Sequence, residues 1–97
     1  MRKEQPVVPY EKNRNKILKS RYGITLEDYA LMLAEQGGVC AICGAPPSEA
    51  RVLDVDHCHE SGTVRGLLCR SCNLCLGRMQ DNPDILRRAA DYLEANW

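Results

Sequence analysis

Two Cys-x2-Cys pairs, Cys40/Cys43 and Cys69/Cys72, constrain this chain more than any other feature. Paired cysteines at this separation are a form in which four thiolates close around a zinc ion. Such a site is full, with no open position for chemistry. Between the pairs stand Asp56-His57-Cys58-His59, and Asn73 follows the last ligand directly. One ion therefore anchors both ends of this segment and leaves Asp56, His57 and Asn73 free for another task. The staple also answers a shortage. A chain of 97 residues with no Phe and one Trp has little with which to build a core. Chains of this size bury only about 60–68% of their unfolded surface, and small scaffolds commonly add a metal.

Six cysteines in a short chain also fit a disulfide scaffold. Against that, four of them come as tight pairs, and no apolar stretch follows the N-terminal Met-Arg-Lys-Glu-Gln-Pro to make a secretory signal. No apolar run reaches the roughly 18 residues that span a bilayer. The expectation is a soluble chain from a reducing compartment, the cytoplasm, with no membrane partner. The formal net charge is zero, but it is unevenly spread. Residues 1–22 hold Arg2, Lys3, Lys12, Arg14, Lys16, Lys19 and Arg21 against Glu4 and Glu11, a net of +5. This basic arm and helix suit an anionic partner, nucleic acid first, although a solvated tail has the same composition. Residues 23–97 read as one compact domain.

Along the chain, Pro6 and Pro9 mark an extended arm, and residues 10–22 predict a helix stopped by Gly23. Thr25 with Asp28 predicts a capped second helix, with Leu26, Tyr29, Ala30 and Leu33 on one face and Gly37-Gly38 at its end. Residues 52–57 and 64–68 read as two strands joined by the turn Glu60-Ser61-Gly62-Thr63. Residues 70–79 predict a helix. Asn82-Pro83-Asp84 is a strong start for the last one, in which Leu86, Ala89, Ala90, Leu93 and Trp97 are expected to face inward.

A hairpin packed on a helix is expected to bring Asp56, His57 and Asn73 together. Asp56 and Asn73 offer a carboxylate and an amide oxygen, which suit a hard ion such as Mg²⁺ or Mn²⁺. His57, with an ordinary pKa near neutrality, suits a general base acting on water. The chemistry that fits is metal-assisted phosphodiester hydrolysis. His59 is a candidate for touching phosphate or metal and Arg65 for holding phosphate, though each also reads as an ordinary surface residue. Asp54 is either a solvent-facing strand residue or a partner of the histidines. Cys58 and Cys75 read as small buried residues, with Cys75 also able to compete as a ligand.

The stretches Gln36-Gly37-Gly38-Val39-Cys40-Ala41-Ile42-Cys43, Asp54-Val55-Asp56-His57-Cys58-His59 and Gly62-Thr63-Val64-Arg65-Gly66-Leu67-Leu68-Cys69-Arg70-Ser71-Cys72-Asn73 resemble the recombination endonuclease VII family, a branch of the HNH (ββα-metal, His-Me finger) nucleases. Tyr22-Gly23-Ile24-Thr25 and Tyr29 add to the likeness. The resemblance implies zinc on Cys40, Cys43, Cys69 and Cys72, a catalytic ion on Asp56 and Asn73, His57 as base, and DNA as partner. The phage junction resolvase typical of the family continues into a longer helical dimerisation region. This sequence continues for one helix, which favours nicking over junction resolution and leaves monomer or weak homodimer open. The fold expected is α+β: a zinc-stapled ββα, treble-clef-like core with flanking N-terminal and C-terminal helices. Two other readings stay open, a non-catalytic zinc-ribbon module that binds nucleic acid or protein, and a thiol redox protein.

Overall fold

A computed structural model describes residues 12–97, with side chains from residue 17 onward. The extended arm and the expected helix start at Tyr10 lie outside the described residues. Helix α1 runs Lys12–Tyr22 and α2 Leu26–Glu35. Strands β1 (Asp54–His57) and β2 (Val64–Leu68) form a hairpin, and helices α3 (Arg70–Arg78) and α4 (Pro83–Ala95) follow. The α+β class and the order of elements are as the sequence predicts. The first strand is shorter at its start, because Val52 and Leu53 lie before the paired segment.

Local chemistry explains the helix ends. Gly23 follows α1 at φ 72°, a left-handed turn that glycine takes without steric cost. It lets the Gly23 amide return to the Lys19 carbonyl at 3.0 Å. The capping box of α2 is complete: the Asp28 amide donates to Thr25 Oγ1 at 3.0 Å, and the Thr25 amide to Asp28 Oδ2 at 3.0 Å. Asn82 caps α4, its side chain accepting from the amides of Asp84 and Ile85, with Pro83 in the first turn.

The core is Leu18, Tyr29, Leu33, Cys40, Leu53, Val55, Leu67 and Leu68. It lies where α1 and α2 meet the hairpin, and Cys40, a member of the first cysteine pair, is part of it. Tyr29 is buried, and its hydroxyl donates to the Leu53 carbonyl just before β1. Gln36, at the end of α2, ties the first cysteine pair to the hairpin. Its Nε2 donates to the carbonyls of Val39 (2.8 Å) and Leu67 (3.0 Å), and its Oε1 accepts from the Leu67 amide (2.9 Å). Gly66 makes room for it, since a Cβ there would stand 3.2 Å from Gln36 Oε1.

The strands pair antiparallel, Asp54 with Leu68, Val55 with Leu67 and Asp56 with Gly66; the register then shifts and His57 faces Val64. Arg65 is the residue passed over, the extra member of a β-bulge. Bulges re-aim side chains and recur beside functional sites.

The last helix departs from expectation. Ile85, Leu86 and Ala89 are half-buried, but Ala90 is exposed, Leu93 is 55% exposed and Trp97 98% exposed. None of its residues is buried. No described element covers its far end, so helical periodicity alone misassigned this face as inward.

Candidate metal centre and adjoining polar site

The Sγ atoms of Cys40, Cys43, Cys69 and Cys72 all lie within 4.8 Å of one another, and those of Cys43 and Cys69 are 3.7 Å apart. Four ligands placed tetrahedrally at the ~2.3 Å of a zinc–sulfur bond would stand roughly 3.8 Å apart, so the donor set fits zinc. Each pair is presented by a turn. Cys40 and Cys43 sit on a tight turn closed by the Gly44 amide on the Cys40 carbonyl at 3.1 Å. Cys69 caps α3, its Sγ accepting from the Cys72 amide at 3.4 Å, as Cys40 Sγ does from Ile42 at 3.4 Å. Without metal the thiols differ. Burial opposes ionisation of Cys40, but amides of Cys69, Cys43 and Ile42 and the Cys43 thiol outweigh it and bring its pKa down to about 6. Cys72 is pushed up to about 12, first by burial and then by the thiols of Cys69, Cys43 and Cys40. A bound cation would reverse that preference, since a coordinating thiol is deprotonated. Cys58 is half-buried and Cys75 exposed, so the expectation of a buried Cys75 is corrected. Cys75 lies on the outer side of α3 beside Ser71, Leu74, Arg78 and Met79. Neither belongs to the cluster.

On β1, Asp56 is 8% exposed and does not stand alone. Arg65 donates to it from Nε (2.8 Å, to Oδ2) and from a terminal nitrogen (3.0 Å, to Oδ1). The same guanidinium donates to both oxygens of Asp81, at 3.0 and 2.9 Å. Arg65 is thereby the centre of a carboxylate–guanidinium–carboxylate triad. Its pKa rises, through the hydrogen bonds it donates to Asp56 and then to Asp81, and that of Asp81 falls, chiefly through Arg65.

His57 contacts two rings. Its centroid is 5.5 Å from that of Tyr22 and 5.2 Å from that of His59, both in tilted contacts. Asn73, on the first turn of α3, directs Nδ2 towards Asp54 Oδ2 at 3.5 Å, and its Oδ1 accepts no hydrogen bond from the described residues. Asp54 also pairs with Arg51 at 3.2 Å. Asn73 and Asp54 line a polar cavity of about 250 Å³ together with Arg21, Tyr22, Arg51 and Val55.

Asp56, His57 and Asn73 thus sit on one hairpin and the helix packed on it, but their direct partners are Arg65, Tyr22 with His59, and Asp54. Tyr22, Gln36, Arg51 and Asp81 also shape the region. Of these, only Tyr22 and Gln36 stood in stretches the sequence singled out.

Comparison with known families decides the assignment. The recombination endonuclease VII profile matches residues 15–95. The chain belongs to the recombination endonuclease VII family. Two relatives are named Gene 59 protein. That of Mycobacterium phage D29 is 48% identical over 73 residues, covering 74% of this chain and 44% of the relative. That of Mycobacterium phage L5 is 44% identical over the same length, with the same coverage. The chain thus spans under half the length of these relatives. No solved structure matches it. The family match spans both cysteine pairs, the hairpin and α3. No helix among the described residues is long and apolar enough to cross a membrane.

Proposed function

We propose that this chain hydrolyses DNA phosphodiester bonds as an HNH-type nuclease dependent on a divalent metal ion. The observation that carries the reading is the placement of His57: directly after the buried Asp56, in ring contact with Tyr22 and His59, at the shifted end of a hairpin bracketed by the cysteine cluster. A pure binding module has no use for that arrangement.

His57 takes a proton from the attacking water, and the contacts with Tyr22 and His59 limit the directions its ring can face. The oxygen donors suit Mg²⁺ or Mn²⁺. A carboxylate has about four lone-pair positions, and Arg65 takes two of those on Asp56. The amide oxygen of Asn73 accepts nothing from the described residues. When bound there, a divalent ion supplies charge neutralisation at the phosphate and the leaving oxygen. The thiolate cluster contributes position only, since four protein ligands leave no place for water. His59, packed against His57, is the second imidazole available to the phosphate. Arg65 commits four of its five N–H groups to carboxylates, which leaves one for a phosphate. The phage origin of both relatives supports action in the cytoplasm of an infected host.

The test is nicking of supercoiled plasmid with Mg²⁺, Mn²⁺ or a chelator. His57→Ala is expected to lower the rate by about 10²–10⁴-fold, the usual worth of a general base, with zinc content and DNA binding retained. Wild-type rates from His57→Ala would remove His57 from the mechanism. Absence of metal-dependent nicking in the wild type would leave the zinc-stapled binding module as the function.

A further inference from the structure

We infer that Asp81 is a positioning residue for Asp56, acting through Arg65 to keep the metal-facing carboxylate oriented and the site anionic. The inference rests on the proposed metal-dependent nuclease.

Three independent features converge on this triad. The first is register. The bulge passes over Arg65 just where Asp56 pairs with Gly66, and so turns the guanidinium towards Asp56. The second is backbone conformation. Gln80 and Asp81, at the junction of α3 and α4, stand consecutively at φ 61° and 55°, a region that few non-glycine residues occupy. The junction is held by the Gln80 amide on Gly77 (3.0 Å) and the Asp81 amide on Leu76 (2.8 Å). Such outliers concentrate where function fixes the geometry. Here they place the Asp81 carboxylate across both terminal nitrogens of Arg65. The third is charge. Arg65 and Asp56 alone would form a neutral pair with little attraction for a cation. With Asp81 the triad carries two negative charges against one positive.

Asp81 therefore does two things. It fixes the outer edge of the guanidinium, which sets the angle at which the inner edge grips Asp56. It also shares the positive charge of Arg65, so that Asp56 remains an effective oxygen donor. Partners that stand behind metal ligands in this way typically change metal affinity or activity by about 10–100-fold when removed.

Asp81→Asn is the informative variant. It removes the charge, and asparagine tolerates the left-handed backbone as aspartate does. Mn²⁺ binding to the zinc-loaded chain without DNA would be followed by electron paramagnetic resonance, alongside plasmid nicking across a Mn²⁺ series and thermal melting. The expected result is a rise of about 10–100-fold in the Mn²⁺ concentration for half-saturation, and a matching rise for half-maximal nicking, with nicking recovered at high Mn²⁺. Asp84→Asn, which loses only an exposed pair with Arg87, is the control and should leave both midpoints in place. Unchanged midpoints for Asp81→Asn, with or without a lower melting temperature, would make the triad purely structural and overturn the inference while the nuclease reading stood. A wild-type chain that neither binds Mn²⁺ nor nicks would overturn both.

Discussion

Gln36 offers the sharpest test of how the cysteine pairs are joined to the hairpin. Its side chain makes three hydrogen bonds, two donated to the Val39 and Leu67 carbonyls and one accepted from the Leu67 amide. Gln36→Ala would remove all three and take from the Leu67 amide of β2 its side-chain acceptor, while the Leu67 carbonyl keeps the Ala41 amide at 3.2 Å. At about 1 kcal/mol net for each neutral bond, the loss comes to about 3 kcal/mol. For a domain of this length 1 kcal/mol moves the melting temperature by roughly 4–8 °C, so the expected drop is roughly 12–24 °C. Gln36→Glu is more discriminating. It keeps the acceptor for the Leu67 amide but turns a charged oxygen towards two carbonyls. It should therefore be at least as damaging as alanine near neutral pH and milder in acid, where the protonated carboxyl can again donate. The assay is thermal unfolding of zinc-loaded protein, followed by circular dichroism at two pH values. A fall of less than about 3 °C for Gln36→Ala, equivalent to under 1 kcal/mol, would refute the view that Gln36 secures the hairpin.

Elemental analysis should find one zinc per chain, and Cys72→Ser should lose it together with the fold, because structural zinc contributes folding energy directly. Since Cys72 begins near pKa 12, zinc uptake must release protons and weaken as pH falls; pH-independent uptake would contradict this. Leu93→Ser and Trp97→Ser should each change stability by under about 0.5 kcal/mol, as for other exposed sites, whereas a loss above 2 kcal/mol in denaturant titrations would mean that the face is covered. DNA affinity should fall steeply with added salt, and neutralising Lys12, Arg14, Lys16 and Lys19 should flatten that dependence; an unchanged slope would reduce the basic segment to a tail.

What could be read from the sequence was what nearby residues determine. The thiolate cluster was legible because ligand spacing is itself the signal, and the caps at Thr25 and Asn82 because their partners lie within three residues. The Asp56–Arg65–Asp81 triad was not. Its members are separated by 9 and 16 residues, and nothing local marks Asp81 as the partner of a strand arginine. The bulge that aims Arg65 also leaves no clear composition, since Val64-Arg65-Gly66 reads as ordinary strand. Asn73 was correctly placed at the start of α3, yet its contact with Asp54 instead of Asp56 depends on how the helix is rotated over the hairpin. The inward face assigned to α4 failed for a related reason: periodicity shows that a helix has an apolar side, not that something lies against it.

The order in which the ligands occur along the chain bears on when this fold can form. Cys43 and Cys69 are 26 residues apart, and the hairpin lies wholly within the segment they close. Bringing such distant points together costs entropy before any long-range contact returns it, and a hairpin of this size is marginal by itself in water. Capture of an ion by the four cysteines would therefore convert a slow search into a local one. Refolding should be limited by zinc delivery when the ion is scarce, and by packing of α1 and α2 onto the hairpin when it is plentiful. A newly made chain would then become competent at a time set by the supply of metal in the cell.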